Sequence, residues 1–203
     1  MSQVGDKIKI VLATGIFPPD IGGPATFAKA LNDELPKQGC EVKVITYGSE
    51  KVLNSEIYII KREQNILMRY WLYFWKTWKL SKRAEVIYAF DLISVGLPCA
   101  VVKLLRPKMK LVVRLGGDHL FETALQREWY LGTMKDYYEK KDFNLIERFI
   151  YSINQFVLNR CDKVIFNAGF LRDIYVSKRG VPEGKTEIIK NIRPEGNSRE
   201  EED

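Results

Sequence analysis

The chain predicts a three-layer α/β/α domain built on a mainly parallel sheet, and three observations carry that prediction. Short β-branched runs alternate with stretches of helical period along nearly the whole length. The first strand–loop–helix–strand unit spans about forty residues, the size of one βαβ crossover. The 203 residues, 46% of them hydrophobic, suffice to bury one core without disulfides or metals.

Lys7 to Ala13 (KIKIVLA) reads as a buried strand: short, β-branched and ended by Thr14 and Gly15. A Gly/Pro-rich loop, TGIFPPDIGG, follows. Pro24 suits the first turn of a helix, where its missing N–H is harmless. That helix runs to about Lys37, and Gly39 is placed to end it. Glu41 to Thr46 and Ile57 to Ile60 are the next strands. Asn65 to Lys82 reads as a helix crowded with aromatics. Glu85 to Ala89 is a strand, and Asp91 is placed to cap a helix that Pro107 stops after Leu105. Lys110 to Leu115 is a strand running into Gly116, Gly117, Asp118 and His119.

The stretch from Phe121 to Phe143 is polar-aromatic and shows no clear period. Leu145, Ile146, Phe149, Ile150, Ile153, Phe156 and Val157 recur at threes and fours, the mark of a helix with one apolar face. Lys163 to Phe166 is a strand, Asn167 is placed to cap a helix ending near Gly180, and Glu187 to Lys190 is the last strand. Residues 1–193 thus read as one domain. Residues 194–203 turn Pro/Gly/Ser/Glu-rich and read as a linker or frayed end.

The formal net charge is +6, which favours an anionic partner. It is unevenly spread: Lys61 to Lys110 holds eleven Lys/Arg against Glu63, Glu85 and Asp91. Cys40, Cys99 and Cys161 are odd in number, far apart and fit no metal-ligand spacing, so free thiols in a reduced compartment are expected. With His119 as the single histidine, a His-rich metal site is excluded. The N-terminus is too polar for a signal peptide, and no apolar run reaches about 18 residues. A cytoplasmic location is the expectation.

Two segments point to ligands. Gly22 and Gly23 precede a helix N-terminus, where free N–H groups and the helix dipole favour a phosphate or carboxylate, with Asp20 and Thr26 beside them. The alternative is a tight turn kept for its geometry. The loop matches neither the G-x-G-x-x-G fingerprint nor a Gly-Lys-Ser/Thr phosphate loop, which argues against a dehydrogenase and a nucleoside triphosphatase. Between Arg69 and Arg83 the rings alternate with cations (RYWLYFWKTWKLSKR). Arg69, Trp71, Trp75, Lys76, Trp78 and Lys79 suit a peripheral contact with an anionic membrane surface. The alternative is a helix that packs Trp71, Phe74 and Trp78 onto the sheet. A nucleic-acid partner is not expected, because no recognised binding motif accompanies the rings.

The ordered set FPPDIGGPATF, GCEVKVITYG, RAEVIYAF, KLVVRLGGDHLFE, NRCDKVIFNAGFLRD and TEIIKN resembles the N-terminal half of the family 4 glycosyltransferases of the GT-B fold. The resemblance covers nearly the whole chain; Cys40 stands where the family usually has His. It implies a Rossmann-like domain that holds a glycan or lipid-linked acceptor. A C-terminal GT-B domain, in cis or in trans, would hold most of a UDP- or GDP-sugar through a Glu-x7-Glu motif expected in that domain. It further implies retaining chemistry with no metal and no tightly bound cofactor. Several members are peripheral membrane proteins, which extends the expectation to the inner face of the cell membrane. In RLGGDHLFE the form GGD-x-x-x-E resembles a subgroup in which Asp is prominent. Asp118 is therefore expected nearer the reacting sugar than His119, with Arg114 and Glu122 as acceptor contacts. The competing reading of His119 is a structural hydrogen bond. The expected function is acceptor binding within a glycosyltransferase; the alternative is an inactive binding or membrane-docking module of the same fold.

Overall fold

The computed structural model describes residues 7–49, 55–140 and 142–191; the expected linker at 194–203 lies outside them. Among the described residues seven strands form, at Lys9–Ala13 (β1), Glu41–Gly48 (β2), Ile57–Lys61 (β3), Val86–Ala89 (β4), Lys110–Leu115 (β5), Lys163–Phe166 (β6) and Thr186–Ile188 (β7). All pair parallel, in the order β3-β2-β1-β4-β5-β6-β7. The chain winds outward from β1 in one direction, then returns and winds outward from β4 in the other. β1 and β4 are therefore neighbours, with Ala13 opposite Ala89, and the order reverses between them. The helices are Gly23–Glu34 (α1), Ile66–Leu80 (α2), Gly96–Leu105 (α3), His119–Gln126 (α4), Met134–Glu139 (α5), Leu145–Arg160 (α6) and Gly169–Arg179 (α7).

Alternation along the strands builds the layers. Leu12, Val44 and Phe90 pack with Phe27 and Ala28 of α1 on one face. Val11, Ala13, Ile45, Ile87, Val113 and Phe166 face the other way. They meet Tyr73 of α2, Cys99 and Val102 of α3, Val157 of α6, and Leu171 and Tyr175 of α7. The result is the expected α/β/α Rossmann-like sandwich. Cys161 and Cys99 are buried free thiols; burial pushes Cys161 up to about 11 and Cys99 higher still.

Four local expectations need correction. Asp91 does not cap α3, which starts five residues later at Gly96, with Val95 as its N-cap and no side-chain cap. Its Oδ1 instead accepts the amides of Ile93 and Val95 at 2.8 and 3.1 Å, tying up the turn before the helix. That turn is tight: a Cβ on Gly96 would stand 2.2 Å from the Asp91 carbonyl oxygen. Asn167 does not cap α7, whose N-cap is Ala168; its amide donates to the Gly116 carbonyl at 3.0 Å, joining the loops after β5 and β6. The first helix becomes a 3-10 turn over Leu35–Gln38, since Pro36 has no N–H to continue the α pattern, and ends on left-handed Gly39.

The fourth correction concerns the apolar repeat of α6. Leu145 and Phe149 are 83% and 67% exposed, whereas Glu147 and Asn154 are buried. Glu147 is drawn inside by three donors: the Asn144 amide, the Tyr137 hydroxyl and the Lys140 ammonium, each at 2.7–2.8 Å. This also accounts for the stretch without a period. α4 and α5 are short, and they pack around Tyr137 rather than on the sheet. The rings of Phe121, Tyr130, Tyr138 and Phe143 stand 5.2–5.5 Å from that of Tyr137, and the Lys140 ammonium lies over it at 4.4 Å.

Burial works to raise the pKa of Glu147, but the hydrogen bonds from Lys140 and Tyr137 outweigh it and hold the carboxyl below its ordinary 4.5. A depressed folded-state pKa means stability that is present above the unfolded value and lost as the pH falls below it. The wild-type protein should lose stability on acidification below about pH 4.5, more steeply than Glu147→Gln. Urea midpoints measured from pH 6 to pH 3 check this, and parallel curves for the two proteins would remove Glu147 from the account.

Candidate functional site

A cleft of about 530 Å³ opens across the carboxyl ends of β4, β5 and β6, beside the start of α1. In open parallel sheets this end, next to the reversal of strand order, is where ligands bind. The near wall is the N-terminus of α1. Gly22 has φ 157° and ψ 157°, a conformation essentially reserved for glycine. Gly23 opens the helix, and nothing lies within 4 Å of where its Cβ would stand. Among the described residues no side chain caps α1; Pro24 has no N–H, and the Gly23 and Ala25 amides have no partner within the helix. Gly23 and Pro24 line the cleft.

Asp20 and Thr26 serve the loop instead. The Asp20 carboxylate pairs with both terminal nitrogens of Arg62, whose guanidinium also reaches the Gly15 and Tyr47 carbonyls. The Thr26 hydroxyl bonds back to the Gly22 carbonyl at 3.2 Å.

Arg114 lies at the end of β5 and is 4% exposed. Its guanidinium stacks 3.9 Å over the Phe27 ring of α1 and donates to the Ile189 carbonyl and the Asn191 side chain. Those acceptors are neutral, and among the described residues Arg114 forms no ion pair. The cleft thus has a buried positive charge next to a helix N-terminus, two features that attract the same kind of group.

The turn after β5 divides its polar residues. Asp118 is fully buried and caps α4, accepting the Phe121 amide at 2.9 Å. Its second oxygen accepts the Tyr138 hydroxyl at 2.6 Å, and Arg179 donates to that same hydroxyl at 3.0 Å. Burial first, then the Asp118 charge, pushes the Tyr138 phenol far above its usual value. Asp118 is thus engaged inside the protein. His119 and Glu122 line the cleft in its place. The Glu122 carboxylate lies over Gly117, where a Cβ would meet its Oε1 at 2.2 Å; the second glycine of the pair leaves room for it. The geometry therefore sets His119 before Asp118 at the cleft.

Sequence reasoning passed over Asn154, Tyr175 and Asn191, which also line the cleft, and the roles there of Asp91, Ser94 and Asn167. Asn154 left one signal, an amide among the apolar residues of a helix. The others left none, since their convergence depends on which loops the sheet order brings together.

Away from the cleft, α2 divides its aromatic residues. Tyr73 is buried, and Phe74 and Trp78 pack on the core, Trp78 with the Arg106 guanidinium 4.0 Å over its ring. Ile66, Leu67, Met68, Trp71 and Trp75 are exposed. Trp71 and Trp75 stack with centroids 6.2 Å apart, and Lys79 lies 5.2 Å from the Trp75 ring. Lys76 is turned over Tyr58 at 3.9 Å, and Arg69 over Tyr47 at 5.8 Å. Among the described residues no helix is long and apolar enough to cross a membrane, and no group of three or more His, Cys, Asp or Glu could hold a metal ion.

The family model described as Glycosyltransferase Family 4 matches residues 21–192. No curated protein sequence matches the chain. Among solved structures, the lipopolysaccharide outer core galactosyltransferase WaaB in its apo form is similar over 92% of this chain and 46% of its own, with TM-score 0.56 and 12% identity. An alpha-glucosyltransferase in complex with UDP-glucose and DNA containing an abasic site is similar over 93% and 43%, with TM-score 0.52 and 14% identity. A glycosyltransferase from Rickettsia africae ESF-5 is similar over 94% and 48%, with TM-score 0.51 and 14% identity. At these identities the likeness is one of fold. The chain spans less than half the length of each of these structures.

The division between Asp118 and His119 is measurable. Asp118→Ala removes a helix cap, takes the acceptor from the Tyr138 hydroxyl and the nearby negative charge from the buried Arg179, so a loss of roughly 3 kcal/mol is expected. His119→Ala, at an exposed position, should stay within about 0.5 kcal/mol of wild type. Urea unfolding of both variants decides it, and similar losses would contradict the structural role given to Asp118.

Proposed function

The chain belongs to Glycosyltransferase Family 4, and from that premise we propose that it forms the acceptor side of an enzyme moving a sugar from a UDP- or GDP-sugar to a glycan or lipid-linked acceptor. The observation that carries this reading is the buried, ion-pair-free Arg114 beside the uncapped start of α1. A phosphate group, from donor or acceptor, gains there both charge-assisted hydrogen bonds and helix amides. His119 and Glu122 supply the groups suited to sugar hydroxyls along the same cleft. Catalysis in such a cleft is positioning together with stabilisation of a departing nucleoside diphosphate. The facing donor-binding domain, in cis or in trans, carries the remaining half of that task in this reading.

The exposed row on α2 favours a second, compatible role. Stacked indoles with flanking cations suit the headgroup depth of an anionic bilayer, and the acceptor would then reach the cleft from the inner membrane face.

With a donor-binding domain supplied, Arg114→Gln should lower kcat/KM for sugar transfer about 10- to 100-fold, matching the loss of one charged hydrogen-bonding group. Inorganic phosphate titrated into the chain by calorimetry should show the same ratio. Phosphate binding unchanged in Arg114→Gln would sink the anion reading. For α2, flotation with phosphatidylglycerol-containing vesicles at low salt should recover the wild-type protein and leave Trp71→Ala/Trp75→Ala in the bottom fraction, with the wild type released as salt rises. Equal recovery of the two proteins would exclude these rings from any membrane contact.

A further inference from the structure

The wall of the cleft formed by α6 holds a side chain whose state has no internal explanation. Asn154 is 1% exposed and lines the cleft, yet among the described residues neither its amide nitrogen nor its amide oxygen has a hydrogen-bond partner. Buried amides are almost always satisfied, because leaving a donor and an acceptor unmade is costly. One turn further along α6, Val157 packs against the start of α3, its Cγ1 3.4 Å from where a Cβ on Gly96 would stand. Thr77 Oγ1, Gln155 Oε1 and Arg160 Nε are also buried without a partner among the described residues, but those residues do not line the cleft, whereas Asn154 does.

The chemistry of a ligand at Asn154 follows from the amide itself. It offers two donors and one acceptor side by side. An oxyanion could use the donors but would be repelled by the carbonyl, and the anion's place is already at Arg114 and α1. A pair of adjacent hydroxyls, each able to donate and to accept, matches both groups at once. Arg114 and Phe27 belong to the α1 face of the sheet, whereas Asn154 and Tyr175 come from the helices of the opposite face. The cleft therefore has a cationic side and a neutral amide side on opposite layers.

We propose that Asn154 is a specificity-determining residue that binds two neighbouring hydroxyls of a sugar whose phosphate is held at Arg114. This rests on reading the cleft as a sugar-phosphate site, so the experiment separates the two. Calorimetry compares inorganic phosphate with the 1-phosphates of glucose, galactose and mannose, on wild type, Asn154→Leu and Arg114→Gln. In the wild type at least one hexose 1-phosphate should bind tenfold or more tightly than phosphate. In Asn154→Leu that advantage should disappear, phosphate affinity should hold, and the melting temperature should rise by a few degrees, because an unsatisfied amide has been replaced by an apolar group of similar size. A hexose advantage that survives in Asn154→Leu, or a fall in its melting temperature, overturns the role of Asn154 while leaving the anion site standing. No binding of any probe to the wild type overturns the reading of the cleft and the proposal with it.

Discussion

The reversal of strand order between β1 and β4 is the constraint on which the rest depends. One connection leaves the carboxyl end of β1 for α1, and the other leaves β4 for α3, on opposite faces of the sheet. Because right-handed crossovers carry them apart, no connection covers the gap between them. The cleft is thus a consequence of winding rather than of any one side chain. It brings the glycine pair before α1, the Asp91 turn and the Gly116-Gly117 turn to a common opening.

Holding those loops in place is the work of a second, smaller core. The turn after β5 would otherwise be a flexible run of two glycines. It is fixed because Asp118 is buried as a cap and shares the Tyr138 hydroxyl with Arg179, and because Leu120 and Ala124 of α4 pack into the aromatic cluster around Tyr137. A buried charge with a lost partner costs far more than a surface ion pair gains. The Asp118–Tyr138–Arg179 chain therefore fixes geometry more firmly than the many surface pairs, such as Lys29 with Asp33. Its effect on the cleft is indirect: it aims His119 and Glu122.

The layering and every strand were legible in the sequence because parallel strands are apolar on both faces and short, a pattern that needs no long-range information. The glycine pair, the helix at Asn65 and the helix stop at Gly180 were legible for the same reason: each depends on local backbone chemistry. What failed was local polarity with more than one outlet. Asp91 and Asn167 could each cap a helix, and each found a nearer partner across a loop. The apolar repeat of α6 was real, but Glu147 was drawn inward by Lys140 and Tyr137, turning Leu145 and Phe149 outward. Asp118 and His119 are adjacent in sequence and both polar; only the position of Tyr138, twenty residues on, decides which one is buried.

Unmatched polar groups of different chemistry meet at the cleft. Some buried polar groups of the core are matched: Glu147 has three donors, and Tyr73 gives its hydroxyl to the Ile45 carbonyl; Thr77 Oγ1, Gln155 Oε1, Arg160 Nε and two of the Arg179 nitrogens have no partner among the described residues. At the cleft, among the described residues, Arg114 forms no ion pair, α1 has amides without a side-chain cap, and Asn154 has an amide without a partner. Departures from internal consistency are expected where a fold gives up stability to be complementary to something else. Three such departures, differing in chemistry and contributed by three separate elements, converge on one opening. A single one could be an accident of packing. Their convergence on one opening is what supports the proposed ligand, one with an anionic part and a hydroxyl-bearing part.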